Sequence, residues 1–340
     1  MIVTDKLRIG TRGSPLALRQ TGQVINLLTM QHESLNQSGA METVVIKTTG
    51  DKEQSRLLSE IGGKGLFTKE LDEAMLRGEI DIGIHSMKDM PTVMPDGIML
   101  HAITQRLDPR DALISQKAKT LAELPQGATV GTASLRRKAQ LLYLRPDLRI
   151  IPLRGNIDTR LKKITNGEID ATLLAFAGLS RLEKENNISG VLDFTEVLPA
   201  VGQGVLAATC REGDLRATML IKSLLHPATT IAVLAERAML AALDGSCQTP
   251  IAGYSKIEED QELTLCGIIL RPDGTEKAEV KLSGNVNAAE KLGAKVAEKL
   301  IIEAGSSLLR AIKQERPIII EAPKQINPET DVHLNNSEDR

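Results

Sequence analysis

Gly78-Glu79-Ile80-Asp81-Ile82-Gly83-Ile84-His85-Ser86-Met87-Lys88-Asp89-Met90-Pro91 is the stretch from which the fold can be read. Ile80, Ile82 and Ile84 alternate with the period of a strand, and the pattern then stops at four polar side chains, His85, Ser86, Lys88 and Asp89. A buried strand that delivers a Lys-Asp pair and then a proline places charge at the carboxyl edge of a sheet, where open α/β sheets bind ligands. Gly167-Glu168-Ile169-Asp170 repeats the first four letters before a second apolar strand. Two more echoes keep the same order. Thr129-Val130-Gly131-Thr132-Ala133-Ser134 matches Arg8-Ile9-Gly10-Thr11-Arg12-Gly13-Ser14 as strand, turn and helix start, and Arg149–Leu153 with Arg154-Gly155-Asn156 matches the strand ending at Gly50. Three echoes in one order predict two similar βαβαβ domains, the first copy longer by its polar 51–65 loop. Facing each other, they enclose a cleft lined by helix N-termini and strand ends, a setting suited to anions.

Arg106–Asp111 and Leu198–Val205 read as the crossings between these domains, with the strand Val205–Cys210 returning to the first. The expected limits are 1–105 with 205–222 for the first domain and 110–199 for the second. From Pro227 the pattern changes to a helix at Thr229–Leu243, a Gly245–Pro250 loop, two strands at Glu262–Leu270 and Thr275–Leu282, and a helix at Ala288–Ala304. Arg271-Pro272-Asp273-Gly274 is a hairpin turn signal. This predicts a small α+β third domain over 226–315, followed by a polar tail, 323–340, expected to be disordered.

Length and composition set limits on function. A chain of 340 residues, 41% hydrophobic and 25% charged, has room for two or three domains with cores of their own. Aromatic residues make up 1%, so the cores are aliphatic and stacking platforms for nucleic acid are nearly missing. A net charge of −2 gives no global attraction to nucleic acid or membrane. No apolar run has the length of a signal peptide or a membrane span, which makes a cytoplasmic location the expectation. Cys210, Cys247 and Cys266 form no CxxC and are odd in number, pointing to neither disulfides nor a metal site. Cys210 and Cys266 sit in apolar strands and read as core, whereas Cys247 lies in a Gly/Ser/Pro loop.

Between Gly127 and Lys163 stand nine basic residues against Asp147 and Asp158, a local excess in a chain that is acidic overall. Arg136 and Arg137 follow Ser134 at an expected helix start, where backbone N–H groups and guanidinium forks together hold carboxylates or phosphates. Arg12 and Arg154 occupy strand ends, while Lys162 and Lys163 read as a solvated face. Ile61-Gly62-Gly63-Lys64-Gly65, just before the expected helix Leu66–Arg77, reads as a mobile loop carrying a cation. The residues thus describe a cleft that grips a polyanion or several carboxylates, with Asp89 as the acid among cations. Such an acid is a candidate for stabilising developing positive charge or handling a proton. The cleft alone also permits a solute-binding module; the missing signal-peptide stretch and the Cys247 loop speak against it.

His85-Ser86-Met87-Lys88-Asp89-Met90-Pro91, Gly131-Thr132-Ala133-Ser134-Leu135-Arg136-Arg137, Leu153-Arg154-Gly155-Asn156, Pro199-Ala200-Val201-Gly202-Gln203-Gly204 and Gly245-Ser246-Cys247-Gln248-Thr249-Pro250 stand in the order and spacing of one family. Over about residues 6 to 310 the chain resembles the porphobilinogen deaminase (hydroxymethylbilane synthase) family. That resemblance implies a monomeric transferase of tetrapyrrole (heme) biosynthesis, with two domains folded like type II periplasmic binding proteins and a small third domain. It implies head-to-tail joining of four porphobilinogen molecules with loss of ammonia at each, then hydrolysis to hydroxymethylbilane, which would pass to uroporphyrinogen-III synthase.

Residue by residue, Cys247 matches the cysteine that holds a dipyrromethane cofactor through a thioether, and Asp89 the catalytic carboxylate. Ser86, Lys88, Thr132, Ser134, Arg136, Arg137 and Arg160 match cofactor-binding positions. Arg12, Ser14, Arg154, Arg160 and Arg181 match substrate-binding ones, and Lys64 and Phe67 match a loop and helix start that cover the site. His85 is expected to be structural. Ala133 stands where a serine is common and Ser246 where a glycine is common.

Overall fold

The computed structural model describes residues 6–52, 65, 67–246 and 249–314. Lys64, Cys247 and the expected tail 323–340 lie outside the described residues.

The two copies of the Gly-Glu-Ile-Asp repeat do the same physical work. Asp81 accepts the backbone N–H of Arg8 at 2.8 Å and returns its own N–H to the Arg8 carbonyl. Asp170 does the same with Thr129, at 2.7 and 2.9 Å. Each aspartate therefore fixes the start of the strand beside it. The isoleucine before it is buried against a glycine of that strand: a Cβ on Gly10 would lie 2.3 Å from Ile80 Cδ1, and one on Gly131 would lie 2.8 Å from Ile169 Cδ1. Glycine at both positions is a requirement of close approach.

The first sheet runs β2-β1-β3-β10-β4, with β1 Leu7–Arg12, β2 Met41–Ile46, β3 Ile82–Ser86, β4 Ile98–Ile103 and β10 Leu206–Arg211. The second runs β7-β6-β8-β5-β9, with β5 Asp111–Ser115, β6 Thr129–Gly131, β7 Arg149–Ile151, β8 Ala171–Ala175 and β9 Gly190–Val191. In each sheet four of the five strands run one way and the fourth in order, β10 or β5, is antiparallel to both neighbours. That fourth strand is the one the chain forms on arriving from the other unit, so the two crossings feed matching places in two matching sheets.

Helices follow from capping and spacing. α1, Pro15–Gln31, starts at Ser14, whose hydroxyl accepts the Ala17 N–H at 3.2 Å, and buries Val24 and Leu28 one turn apart. After the short helix α2, Thr49–Lys52, comes α3, Lys69–Leu76. It begins later than the expected Leu66 because the N–H groups of Thr68 and Lys69 close a turn on the Gly65 carbonyl. The second unit carries α4, Leu135–Leu144, α5, Ile157–Thr165, and α6, Phe176–Arg181. α7, Leu215–Lys222, follows β10.

The third unit is a meander of β11 Ile251–Ile257, β12 Glu262–Leu270 and β13 Lys277–Asn285, backed by α8, Pro227–Ala242, and α9, Ala289–Gln314. β11 was not expected: Ile251-Ala252-Gly253-Tyr254-Ser255 is poor in β-branched residues, and Gly253 is demanded instead by Met239, whose Cε would meet a Cβ there at 2.4 Å. Gly305 breaks α9 with φ 62° and ψ 174°, so the expected end at Ala304 marks the first of its two segments. Cys210 is core in β10, but Cys266 is half-buried on β12 beside Glu279.

Both crossings are tied to this third unit by one carboxylate. Glu236 on α8 is 0% exposed and accepts from Arg106 Nη1 and Nη2 at 2.8 and 2.9 Å, from the Gly202 N–H at 2.8 Å, and from the Ser255 N–H and hydroxyl, each at 2.9 Å. Arg106 lies on the first crossing, Gly202 on the second and Ser255 on β11. A buried carboxylate survives only with its charge and lone pairs answered, and these donors answer them. Glu236→Ala is expected to lower unfolding free energy by about 3–5 kcal/mol, because the Arg106 charge is left buried and unpaired. Urea denaturation curves that overlay those of the wild type would show that this clamp does not hold the units together.

Candidate active site

The carboxyl ends of β1, β3 and β8 and the N-termini of α1, α4 and α5 converge on one cavity of about 740 Å³. Ser14, Ser134 and Asn156 are the N-caps of those three helices, accepting from Ala17, Arg137 and Thr159 N–H groups at 3.2, 3.4 and 2.9 Å. All three line the cavity, so three helix dipoles present their positive ends to it.

The first unit supplies the acid. After β3 the chain makes a single tight turn, Met87–Asp89, closed by the Met90 N–H on the Met87 carbonyl. Met87 and Met90 are buried in an apolar cluster with Val205 and Val233, and those two anchors leave Lys88 and Asp89 facing the cavity. Ser86 accepts a hydrogen bond from Gln20 Nε2 at 2.9 Å, which joins the strand end to α1. His85 is buried with Nε2 3.1 Å from the Thr209 hydroxyl, and burial, with Arg12 nearby, pushes it down to about 4. The imidazole is neutral at physiological pH and serves packing between β3 and β10.

The second unit supplies most of the cations. Arg137, Arg154 and Arg160 line the cavity, and Arg160 Nε donates to the Gly155 carbonyl at 3.0 Å. Burial, then the neighbouring charges of Arg137 and Arg154, pull Arg160 down to about 10. A buried guanidinium with two more beside it marks a place suited to anions. Burial likewise pulls Lys88 down to about 8. Arg12 of the first unit stacks over the Phe67 ring, 4.3 Å from its centroid, and both line the same cavity.

Arg136 and Arg137 meet a partner the sequence did not suggest. Asp111, 0% exposed at the start of β5, accepts from Arg136 Nη2 at 2.8 Å and from Arg137 Nε and Nη2 at 3.1 and 2.8 Å. Arg136 also gives Nη1 to the Leu198 carbonyl at 2.7 Å, so both of its terminal nitrogens are engaged by the protein. The two arginines hold the Asp111 carboxylate far below the usual carboxylate range, against the opposing effect of its burial.

The structure gathers Asp89, Lys88, Ser86, Ser134, Arg136, Arg137, Arg160, Arg12, Ser14, Arg154, Arg181 and Phe67 around one cavity. It does not bring Thr132 to the wall; that hydroxyl accepts the Ser134 N–H at 3.1 Å beneath the start of α4. Arg181 is mostly buried and donates to the Gly204 carbonyl at 3.0 Å, bracing the second crossing from α6. Cys247 is outside the described residues, but Ser246 and Thr249 on either side of it in sequence both line the cavity. Sequence reasoning missed Gln20, Asp111 and Gln203. Gln20 was readable, since it holds a buried helical position between Leu16 and Val24; a single aspartate after Arg110 carries no such signal.

A family model described as "Porphobilinogen deaminase, dipyromethane cofactor binding domain" matches residues 7–219, and one described as "Porphobilinogen deaminase, C-terminal domain" matches residues 230–301. The chain is 47% identical over 305 residues to the chloroplastic porphobilinogen deaminase of Pisum sativum, covering 89% of this chain and 83% of that protein. It is 50% identical over 297 residues to the porphobilinogen deaminase of Nitrobacter winogradskyi, covering 87% and 93%. Among solved structures, the periplasmic aliphatic sulphonate binding protein SsuA of Escherichia coli aligns at 17% identity over 71% of each chain, with a TM-score of 0.39.

Asp111→Asn leaves two buried guanidinium groups without their counter-charge, and a loss of about 3–5 kcal/mol in urea-derived stability is expected at neutral pH. A depressed carboxylate contributes fully above its unfolded pKa of about 3.9 and loses that contribution as pH falls through its lower folded value. The gap between wild type and variant should therefore hold from neutral pH to about 4 and narrow only below it. A gap that closes between pH 7 and 5 would contradict the assignment.

Proposed function

The chain belongs to the porphobilinogen deaminase family, and from that membership we propose how its own residues divide the work. The protein is an enzyme of tetrapyrrole biosynthesis, a hydroxymethylbilane synthase that uses a dipyrromethane cofactor. The observation that carries the assignment of roles is the turn after β3, which offers Lys88 and Asp89 to a cavity whose other walls bear arginines.

The donor set fits a dipyrromethane. That group carries four carboxylates, and Lys88, Arg137 and Arg160 offer cations on the cavity wall with the Ser134 cap beside them. Cys247, between cavity-lining Ser246 and Thr249, is proposed as the point of thioether attachment. When bound, the cofactor supplies the pyrrole end to which the first substrate ring is joined. Arg136 and Thr132 support this group from behind, through Asp111 and the Ser134 cap, and Ser86 borders it at the end of β3. Arg12, Ser14, Arg154, Arg160 and Arg181 are proposed for the acetate and propionate groups of porphobilinogen, with Phe67 covering them; Lys64, outside the described residues, keeps its expected place in that cover.

As the C–N bond of porphobilinogen breaks, its electron pair leaves with nitrogen and positive charge develops on the pyrrole and its methylene. Among the described residues two carboxylates line the cavity, and Asp158 is paired with Lys184; Asp89 is proposed to stabilise that charge, accept from the pyrrole N–H and pass protons to and from the reacting centre. The arginines meanwhile hold the carboxylates of the substrate at the distance that keeps its methylene beside Asp89.

The same proposal takes 1–105 with 205–222, 110–199 and 226–315 as domain limits and the working protein as a cytoplasmic monomer. Porphobilinogen is its small-molecule substrate, nucleic acid is not a partner, and the product passes to uroporphyrinogen-III synthase. Among the described residues no helix is long and apolar enough to cross a membrane.

Intact mass spectrometry of freshly purified protein is expected to show a dipyrromethane adduct that is lost in Cys247→Ala; an active wild type of unmodified mass would remove Cys247 from its role. Asp89→Asn is expected to retain the melting temperature and lose roughly 10²-fold or more in kcat, the scale for removing a group that stabilises transition-state charge. Turnover within a few-fold of wild type would rule Asp89 out.

A further inference from the structure

Gln203 lies on the second crossing and is 1% exposed. Its neighbours Gly202 and Gly204 both have positive φ, at 72° and 88°. A Cβ on Gly202 would come within 2.5 Å of Met87 Cγ, and one on Gly204 within 2.4 Å of the Leu107 carbonyl oxygen. The backbone here is therefore squeezed between the turn that presents Lys88 and the first crossing, and the side chain of Gln203 has little freedom.

Chemistry fixes which way its amide points. Nε2 donates to the Pro109 carbonyl at 2.6 Å and to Asp111 Oδ1 at 2.8 Å. Both partners are acceptors only, so nitrogen must face them. Oε1 is then turned to the other side, 3.4 Å from Lys88 Nζ. Among the described residues no carboxylate forms an ion pair with Lys88. This contrasts with Arg136 and Arg137, which share the single carboxylate of Asp111.

We propose that Gln203 is a positioning residue for the reaction: its neutral amide oxygen holds the Lys88 ammonium at the cavity wall without neutralising it, so that the full charge remains for a ligand carboxylate. A glutamate in its place would satisfy Lys88 and would face Asp111 and the Pro109 carbonyl with a group that has nothing to donate. The amide is the side chain that donates on one side and accepts, uncharged, on the other. It also ties the acid-bearing turn of the first unit to the buried anion of the second, through the crossing itself.

The charged groups around Lys88 are Asp89 and Asp111, which favour the ammonium, and Arg136 and Arg137, which oppose it. Burial outweighs them and brings Lys88 down to about 8, close enough to working pH for its charge to be at stake. Removing the accepting oxygen lowers it further, because a hydrogen bond to the charged form is lost. The proposal rests on the family reading, in which Lys88 must be cationic to hold a carboxylate.

The test is the pH profile of kcat/KM for porphobilinogen, measured on holoenzyme whose cofactor loading is checked by mass. Gln203→Met keeps the length of the side chain and removes both amide functions. Its alkaline limb is expected to fall by about one pH unit relative to wild type, with KM rising as the limb is approached. In Lys88→Arg/Gln203→Met the limb should leave the range altogether, since arginine does not titrate there; the ammonium of the substrate is common to all the enzymes compared. An unmoved limb in a Gln203→Met protein of normal melting temperature would overturn the proposal, as would an equal shift in the double variant. Should Gln203→Met not fold, titration of ¹³C-labelled lysines in the wild type and in Gln203→Asn, which keeps an amide but withdraws its oxygen, decides the matter, with Lys88→Arg for assignment: the same Lys88 midpoint in both proteins would overturn it. A wrong family reading would show differently, as a wild type without adduct or turnover.

Discussion

Cations crowded around one cavity repel each other, and the buried carboxylate of Asp111 is what allows Arg136 and Arg137 to stand together at its wall. Both arginines sit in the first turn of a helix, where the backbone dipole is itself positive and adds to the repulsion. A water-exposed partner would be too weak to offset that. Placed at the first residue of β5 and shut off from solvent, Asp111 opposes the repulsion in a medium of low dielectric, at the cost of its own desolvation. Arg160, for which no carboxylate partner stands among the described residues, shows what the arrangement would be without it: a guanidinium lowered by burial and by its neighbours.

Glu236 plays the corresponding part for architecture. It gathers the two crossings and the first strand of the third unit into one buried knot, so the units cannot separate without exposing it or leaving it uncompensated. Division of labour follows from that knot. The duplicated scaffold puts a strand end at the cavity from each side, but only β3 continues into Lys88 and Asp89, whereas β8 passes from Ala175 straight into Phe176 at the start of α6. One copy became the acid, and the other, through α4 and α5, became the grip.

Most of the frame was legible because it depends on period and punctuation. The strand read from Ile82 and Ile84, with Ile80 falling just before it, the Ser14-Pro15 helix start and the Arg271–Gly274 turn state local rules that tertiary contacts did not override. Lys88, Asp89, Arg137 and Arg154 were legible because each stands at an element end, where a charge has few other uses. Asp111, Glu236 and Gln203 were not, because what defines them is burial and partners distant in sequence, and no local pattern records either. The strand Ile251–Ile257 escaped for a related reason: Gly253 is set by the space that Met239 takes up, not by strand preference.

The interleaving of the sheets also has a bearing on how the chain is made. The second sheet is assembled wholly from residues 111–191, an unbroken segment, whereas the first sheet lacks its fourth strand until residues 206–211 have been synthesised. During translation the segment nearest the N-terminus therefore waits, with β3 and β4 offering open edges, while the later segment can already close. Completion of the acid-bearing half is delayed until the arginine-bearing half has been made, so of the two similar sheets the first to be started is the later to be finished and keeps its edges open the longer.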